Sequence, residues 1–206
     1  MQLYSAAASP FVRKVRVAIR ELKLEGEGEV EVEEIDTTTT PLATDMALAA
    51  ANPLGKIPAL LRDDGPALYD SRVICRYLND RARGPLYPER RLWDVLTLEA
   101  TADGIMDAAV LMVYEARFRP EPHRSADWLD AQWTKIARTL DVVGNRWMSH
   151  LSGRLDMGQI AVACALGYLD FRHPDRPWRQ GRGALDDWYA AFGERPAMAE
   201  TRPPAA

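Results

Sequence analysis

The chain is poor in the residues that carry most redox and metal chemistry, with two cysteines and three histidines among 206 residues. Cys75 and Cys164 lie far apart, so no Cys-x-x-Cys pair exists, and His123, His150 and His173 lack the i, i+4 spacing of helical metal ligands. No metal site is expected. Both cysteines sit within amphipathic helical patterns and read as small buried hydrophobes. No apolar run approaches the roughly 20 residues that span a bilayer, and Met1-Gln2-Leu3-Tyr4 opens no charged-then-apolar leader. Positive charge is not in surplus either: the formal net charge is -4, which argues against a nucleic-acid partner, since phosphate binding relies on clustered Lys and Arg. Internal repeats and low-complexity segments are missing too. These absences lead to the expectation of a cytoplasmic protein with no membrane and no nucleic-acid partner.

What is present is ordinary for a globular protein: 47% hydrophobic and 27% charged residues, on a chain long enough for one domain or two small ones. The chain is organised around Ala51 to Leu60, a turn-rich stretch that runs into a short apolar strand, Ala59 to Leu61. Pro58 stands just before that strand; it removes one donor, holds Ile57 extended, and leaves a cis bond possible there.

Before this stretch, Gln2 to Tyr4 reads as a strand and Ser9-Pro10 as a helix start, with serine as N-cap and proline at the first helical position. Val12, Val15, Ile19 and Leu22 form one apolar stripe, and Arg13, Lys14, Arg16, Arg20 and Lys23 read as a solvated face. Val30, Val32 and Ile35 alternate with Glu29, Glu31, Glu33 and Glu34 like a half-exposed strand. Thr37 to Pro41 makes a polar break, and Leu42 to Ala51 predicts a short helix stopped by Asn52. Ala59 to Leu61 and Ala67 to Tyr69 flank Arg62-Asp63-Asp64-Gly65-Pro66, a hairpin signature. Asp70-Ser71 caps a helix whose apolar face is Val73, Ile74, Tyr77 and Leu78. The order β-α-β-α-β-β-α suits a four-stranded mixed sheet with helices on both faces.

After the Arg-, Gly- and Pro-bearing segment ending at Pro88, every pattern is helical. Trp93 to Arg117 reads as one long helix in which Gly104 marks close packing or a bend. Ser125 to Leu151 reads as a second, with Leu129, Trp133, Ile136, Leu140, Val143, Trp147 and Leu151 as its core stripe. Asp156-Met157-Gly158-Gln159 has capping-box spacing before the nearly apolar Ile160 to Phe171, and Ala184 to Phe192 gives a last helix.

Ser9-Pro10-Phe11, Asn52 to Leu60, Asp70-Ser71 and Asp156 to Gln159, in this order over essentially the whole chain, resemble the cytosolic glutathione transferases, most of all bacterial members with serine where the first helix opens. The resemblance implies an α/β thioredoxin-like domain over 1–80, a linker over 81–88 and an all-helical domain over 89–206. It implies glutathione as co-substrate, held by Ser9, Phe11, Lys56, Ile57, Pro58, Asp70 and Ser71. Ile57 would pair its backbone with the cysteinyl unit, a strand addition in miniature. Asp70 and Ser71 stand where a helix N-terminus favours the γ-glutamyl carboxylate, with the Asp70 carboxylate facing its amino group. Lys56 would meet the glycyl end. Ser9 would stabilise the thiolate, with Ser5 and Tyr4 as alternative donors. A small electrophile would bind between the domains against Met106, Val110, Met112, Tyr114 and Arg117. Two departures from the family pattern are the shorter Asp70 where Glu is commoner, and Asp156 with Gln159 where Ser or Thr with Asp is usual. The implied activity is conjugation of the glutathione thiolate by a homodimer; an isomerase, a peroxidase and a non-catalytic binding module are the alternatives.

Overall fold

The structure, a computed structural model, describes residues 1–24 and 31–204. Two compact units emerge, Met1–Leu92 with Pro196–Ala206, and Trp93–Arg195. The resemblance divides the chain in one place only; the returning Pro196 segment is the difference.

In the first unit, four strands, β1 (Gln2–Ser5), β2 (Glu33–Asp36), β3 (Ala59–Arg62) and β4 (Gly65–Leu68), form one sheet in the order β2-β1-β3-β4. β1 is parallel to β2, with Leu3 opposite Glu34, and antiparallel to β3, with Leu3 opposite Leu60. β3 is antiparallel to β4, pairing Leu60 with Leu68. The hairpin turn is shorter than its sequence signature: only Asp63 and Asp64 lie between the strands, and Gly65 and Pro66 belong to β4. Pro66 is tolerable there because β4 is an edge strand. Of the half-exposed strand expected from Val30, the part at Glu29 and Val30 lies outside the described residues, and β2 starts at Glu33.

Helices α1 (Pro10–Glu21), α2 (Met46–Ala51) and α3 (Ser71–Arg81) accompany the sheet. α2 is shorter than the alanine content suggests because Asp45 caps it, accepting from the Leu48 N–H at 2.8 Å. α1 departs most from its sequence reading. Val12, Val15 and Ile19 are buried as expected, but so are Val17, Ala18, Arg13 and Lys14, the last fully. The basic set is therefore not a solvated face: Arg16 pairs with Glu34 at 2.8 Å, Arg20 with Glu200 at 3.2 Å, and only Lys23 is exposed. The reason is tertiary. α1 packs against α3 and also against α9 (Pro196–Glu200), so it is covered on more than one face. Arg13 donates from Nη2 to the Met198 carbonyl at 3.1 Å. On α3, Ile74, Cys75 and Leu78 are buried, while Val73, expected on the apolar face, is 46% exposed.

The second unit holds α4 (Leu92–Phe118), α5 (Ala126–Arg146), α6 (Met148–Leu151), α7 (Met157–Arg172) and α8 (Gly183–Gly193). The single helix expected over 125–151 breaks at Trp147, and α6 follows as a separate turn. Gly104 is exposed, with open space where a Cβ would stand, so it marks no close packing; Gly158 does, its Cβ position lying 3.1 Å from Leu98 of α4. Cys164 is buried within α7, which is buried from Met157 to Leu169. Its capping box is complete: Gln159 N–H donates to Asp156 Oδ1 at 3.3 Å, and the Asp156 N–H donates to Gln159 Oε1 at 3.0 Å. Among the described residues, no helix is long and apolar enough to cross a membrane.

Candidate functional site

Strand directions bring the candidate residues of the first unit together. β1, β2 and β4 end where β3 begins. The turn into α1, the Thr37 segment, the approach to β3 and the start of α3 therefore share one end of the sheet, the end where open α/β sheets hold ligands. Ser5 and Thr37 are linked directly, the Thr37 N–H donating to the Ser5 carbonyl at 2.8 Å.

Ser9 caps α1. Its Oγ accepts from the Val12 N–H at 3.3 Å, and among the described residues its own O–H has no acceptor. Capping consumes a lone pair and leaves the proton, so the same hydroxyl can cap the helix and still donate to a ligand. Ser5 is different. It is buried, and its Oγ donates to Glu34 Oε2 at 2.6 Å, a carboxylate also held by Arg16. Tyr4 is buried in a cluster with Leu48 and Ala59. Phe11, the second residue of α1, is half-buried.

The approach to β3 is fastened by a residue whose role the sequence reading missed. Asn52 does end α2, but its side chain also donates from Nδ2 to the Lys56 carbonyl at 2.7 Å and accepts at Oδ1 from the Leu54 N–H at 3.1 Å. Thr39 Oγ1 donates to the Gly55 carbonyl at 3.1 Å. Gly55 has φ +61°, and a Cβ there would come within 2.5 Å of Thr44, so only glycine suits the turn. An asparagine two residues before the closed turn is an Asx-turn pattern, a signal that could have found it. Beyond it the Ile57–Pro58 bond is cis. Ile57 is half-buried, and among the described residues neither its N–H nor its C=O is hydrogen-bonded. Lys56 is exposed.

Asp70 caps α3. Oδ1 accepts from the Arg72 N–H at 3.0 Å and Oδ2 from Arg72 Nη2 at 2.9 Å. Burial pushes its carboxyl up, but the hydrogen bonds and charge of Arg72, with the charge of Lys14, outweigh this and hold it below its usual value. Ser71 is buried at the first helical position. An ionised carboxylate beside a helix N-terminus and two cations can meet an ammonium and a carboxylate on one ligand.

The α4 candidates belong to the second unit. Met106 is completely buried and presents no surface; Met112 is 5% exposed. Val110 and Tyr114 are half-buried and Arg117 is exposed. Tyr114 packs on Phe118 with ring centroids 5.4 Å apart, and the Arg117 guanidinium lies 5.3 Å from the same ring. Tyr168 lies in the field of Tyr114; burial pushes its phenol up to about 12, against the lowering effect of Arg172, so it remains a donor. Among the described residues no group of three or more potential metal ligands is assembled.

Fold and site thus define a two-unit protein in which a thioredoxin-like α/β unit, with a cis-proline approach to its third strand, precedes a helical unit. Comparison with known proteins names the family. The glutathione S-transferase N-terminal domain matches residues 3–86, and the C-terminal domain of the same proteins matches residues 126–191. An uncharacterized GST-like protein of Escherichia coli K12, YibF, is 34% identical over the full length of both chains. A glutathione transferase family member from Pseudomonas fluorescens Pf-5, crystallised with bound glutathione, is 46% identical, with a TM-score of 0.92 over 99% of each chain. A crystal structure from the same organism with bound S-(propanoic acid)-glutathione is 44% identical, with a TM-score of 0.88 over the full length of both chains. The chain belongs to the glutathione S-transferase family.

Proposed function

We propose that this protein is a glutathione transferase that adds the glutathione thiolate to a small electrophile. One observation carries the reading: among the described residues the Ser9 O–H has no acceptor while its Oγ caps α1. A free thiol of pKa about 8.5 is mostly protonated at neutral pH. Lowering it by about two units takes about 2.7 kcal/mol, within reach of one charge-assisted hydrogen bond and a helix N-terminus. The thiol proton leaves to water and the sulfur pair forms the new S–C bond. The electron pair displaced from that carbon departs with a leaving group or moves into the electrophile's π system.

The other residues hold the tripeptide. The N–H and C=O of Ile57, next to Pro58 and unbonded among the described residues, would pair with the cysteinyl backbone, Asp70 with the γ-glutamyl ammonium, and the Ser71 end of α3 with its carboxylate. Lys56 would meet the glycyl carboxylate and Phe11 flank the site. In the second unit, Val110, Tyr114 and Arg117 keep the surface an electrophile would need; Met106 would serve only from beneath. Relatives in complex with glutathione and with an S-substituted glutathione support both halves of the reading. An isomerase or a peroxidase would use the same thiolate, and the products formed separate them. A homodimer in the cytoplasm completes the proposal, on the family resemblance.

The test is the pH-dependent ultraviolet absorbance of glutathione bound to wild type and to Ser9→Ala. A bound thiol pKa well below the free value, returning toward it in Ser9→Ala, is the expected result. Binding with an unshifted thiol would make the protein a binding module and Ser9 a helix cap alone.

A further inference from the structure

α4 and α7 run side by side in the same direction. Gly158, at the start of α7, meets Leu98 of α4, and His173, at its end, meets the Ala109 carbonyl with Nε2 at 3.0 Å. The last turns of α4, up to Phe118, therefore lie at the end of the pair where α7 closes. Tyr114 follows Ala109 by about 7.5 Å along the axis, and helical side chains lean back toward the N-terminus, so its ring returns toward the level of His173. Tyr168 meets His173 at that level, with ring centroids 6.4 Å apart, and burial keeps its phenol protonated.

Two exposed arginines belong to this end. The Arg117 guanidinium lies 5.3 Å from the centre of the Phe118 ring, and that of Arg172 lies 3.9 Å from the Phe171 ring, which steadies each cation without neutralising it. Among the described residues neither makes an ion pair. The carboxylates closest to them in sequence are spent elsewhere. Glu115 is held by Arg119 at 2.8 Å and by the Ser125 N–H at 3.0 Å, and Asp170 by Arg179 Nη1 at 2.6 Å and Trp178 Nε1 at 2.7 Å. One exposed arginine without a counter-ion is ordinary. Two of them, each stacked on a ring at the same end of a helix pair, make a surface with cationic donors and no carboxylate to meet them.

We propose that Arg117 and Arg172 determine specificity for an electrophile that carries a carboxylate, held by the two guanidiniums while the rings of Tyr114 and Phe118 flank its carbon skeleton. This deepens the glutathione transferase reading above and rests on it. A carboxylate takes two parallel N–H bonds from one guanidinium, a fit that a neutral amide does not reproduce. The acid takes no part in bond making: the sulfur still forms the S–C bond, and the conjugate keeps its carboxylate.

The experiment is calorimetric titration of the full chain with S-(carboxymethyl)glutathione and with its neutral isostere, S-(carbamoylmethyl)glutathione. Wild type is expected to bind the acid about tenfold more tightly, with a preference that shrinks as salt is raised. Arg117→Gln combined with Arg172→Gln is expected to remove the preference while weakening the amide less than about twofold. Equal binding of the two conjugates by wild type, a preference that survives the double substitution, or equal weakening of both ligands by it overturns the proposal. If the double variant does not fold, the single ones decide: each is expected to lower the preference severalfold, and an unchanged preference in both overturns the proposal. A wild type that binds glutathione and neither conjugate overturns it too. A wild type that binds none of the three overturns the glutathione reading, and this inference falls with it.

Discussion

At the scale of single residues, two of the candidate hydroxyl donors, Ser5 and Ser9, separate by what their neighbours already claim. Ser5 donates to Glu34 and is buried, whereas the Ser9 proton has no acceptor among the described residues. Ser5→Ala should therefore leave the thiol pKa of bound glutathione unchanged while Ser9→Ala raises it, a contrast the same absorbance titration reads. Asn52 is the second residue to test. Asn52→Ala removes both side-chain bonds that close the loop before Ile57, and should weaken glutathione binding about tenfold by calorimetry as that loop loosens. Ser9 and Asp70 were legible because capping chemistry is local and has a sequence pattern. Lys14 was not: nothing local separates a buried lysine from a solvated one when neighbouring elements cover more than one helix face.

Among the elements, α7 was the most legible and α1 the least. Asp156 and Gln159 complete the box their spacing announced, and Gln159 Nε2 also donates to the Leu151 carbonyl at 2.8 Å. Asp156→Ala should cost at least about 1–2 kcal/mol in urea unfolding, because it removes an N-cap and strands buried donors. At its other end α7 is tied to α4 by His173, whose Nε2 lies 3.0 Å from the Ala109 carbonyl. Burial holds this imidazole below its usual value, and the charges of Arg176 and Arg172 add to that, against the raising effect of the Ala109 bond. The unfolded state then binds the extra proton first. Stability from His173 is fully present above its unfolded value of about 6.5 and is lost as pH falls through that value toward the lower folded one. Urea unfolding at about pH 8 and about pH 5.5 should show this loss in wild type and a smaller one in His173→Asn.

For the whole molecule, the return of the chain at Pro196 matters most. α9 lies against α1, joined by the Arg13 bond to Met198 and the Arg20 pair with Glu200, while Thr201 closes it by donating to the Ala197 carbonyl at 2.7 Å. Truncation after Arg195 should destabilise the first unit by a few kcal/mol, although it removes nothing from the sheet, because it uncovers buried Arg13 and apolar surface on α1. Thermal unfolding followed by circular dichroism, with glutathione binding as the local readout, checks this. No variation in β1 to β4 would be needed to see it.

The sequence by itself determined the order of elements, the family resemblance and the local devices: the Ser9, Asp70 and Asp156 caps, the proline before β3, the long apolar helix. Each depends on residues within a few positions of one another, where period and capping chemistry are written directly. Only the tertiary structure decided that the Ser5 proton is spent on Glu34, that Asn52 fastens the loop, that the hairpin turn is Asp63-Asp64, that a lysine and an arginine of α1 are interior, and that Pro196 rejoins the first unit. Those outcomes depend on which surfaces meet across long stretches of chain, and burial of a charge or competition for a donor exists only once they have met.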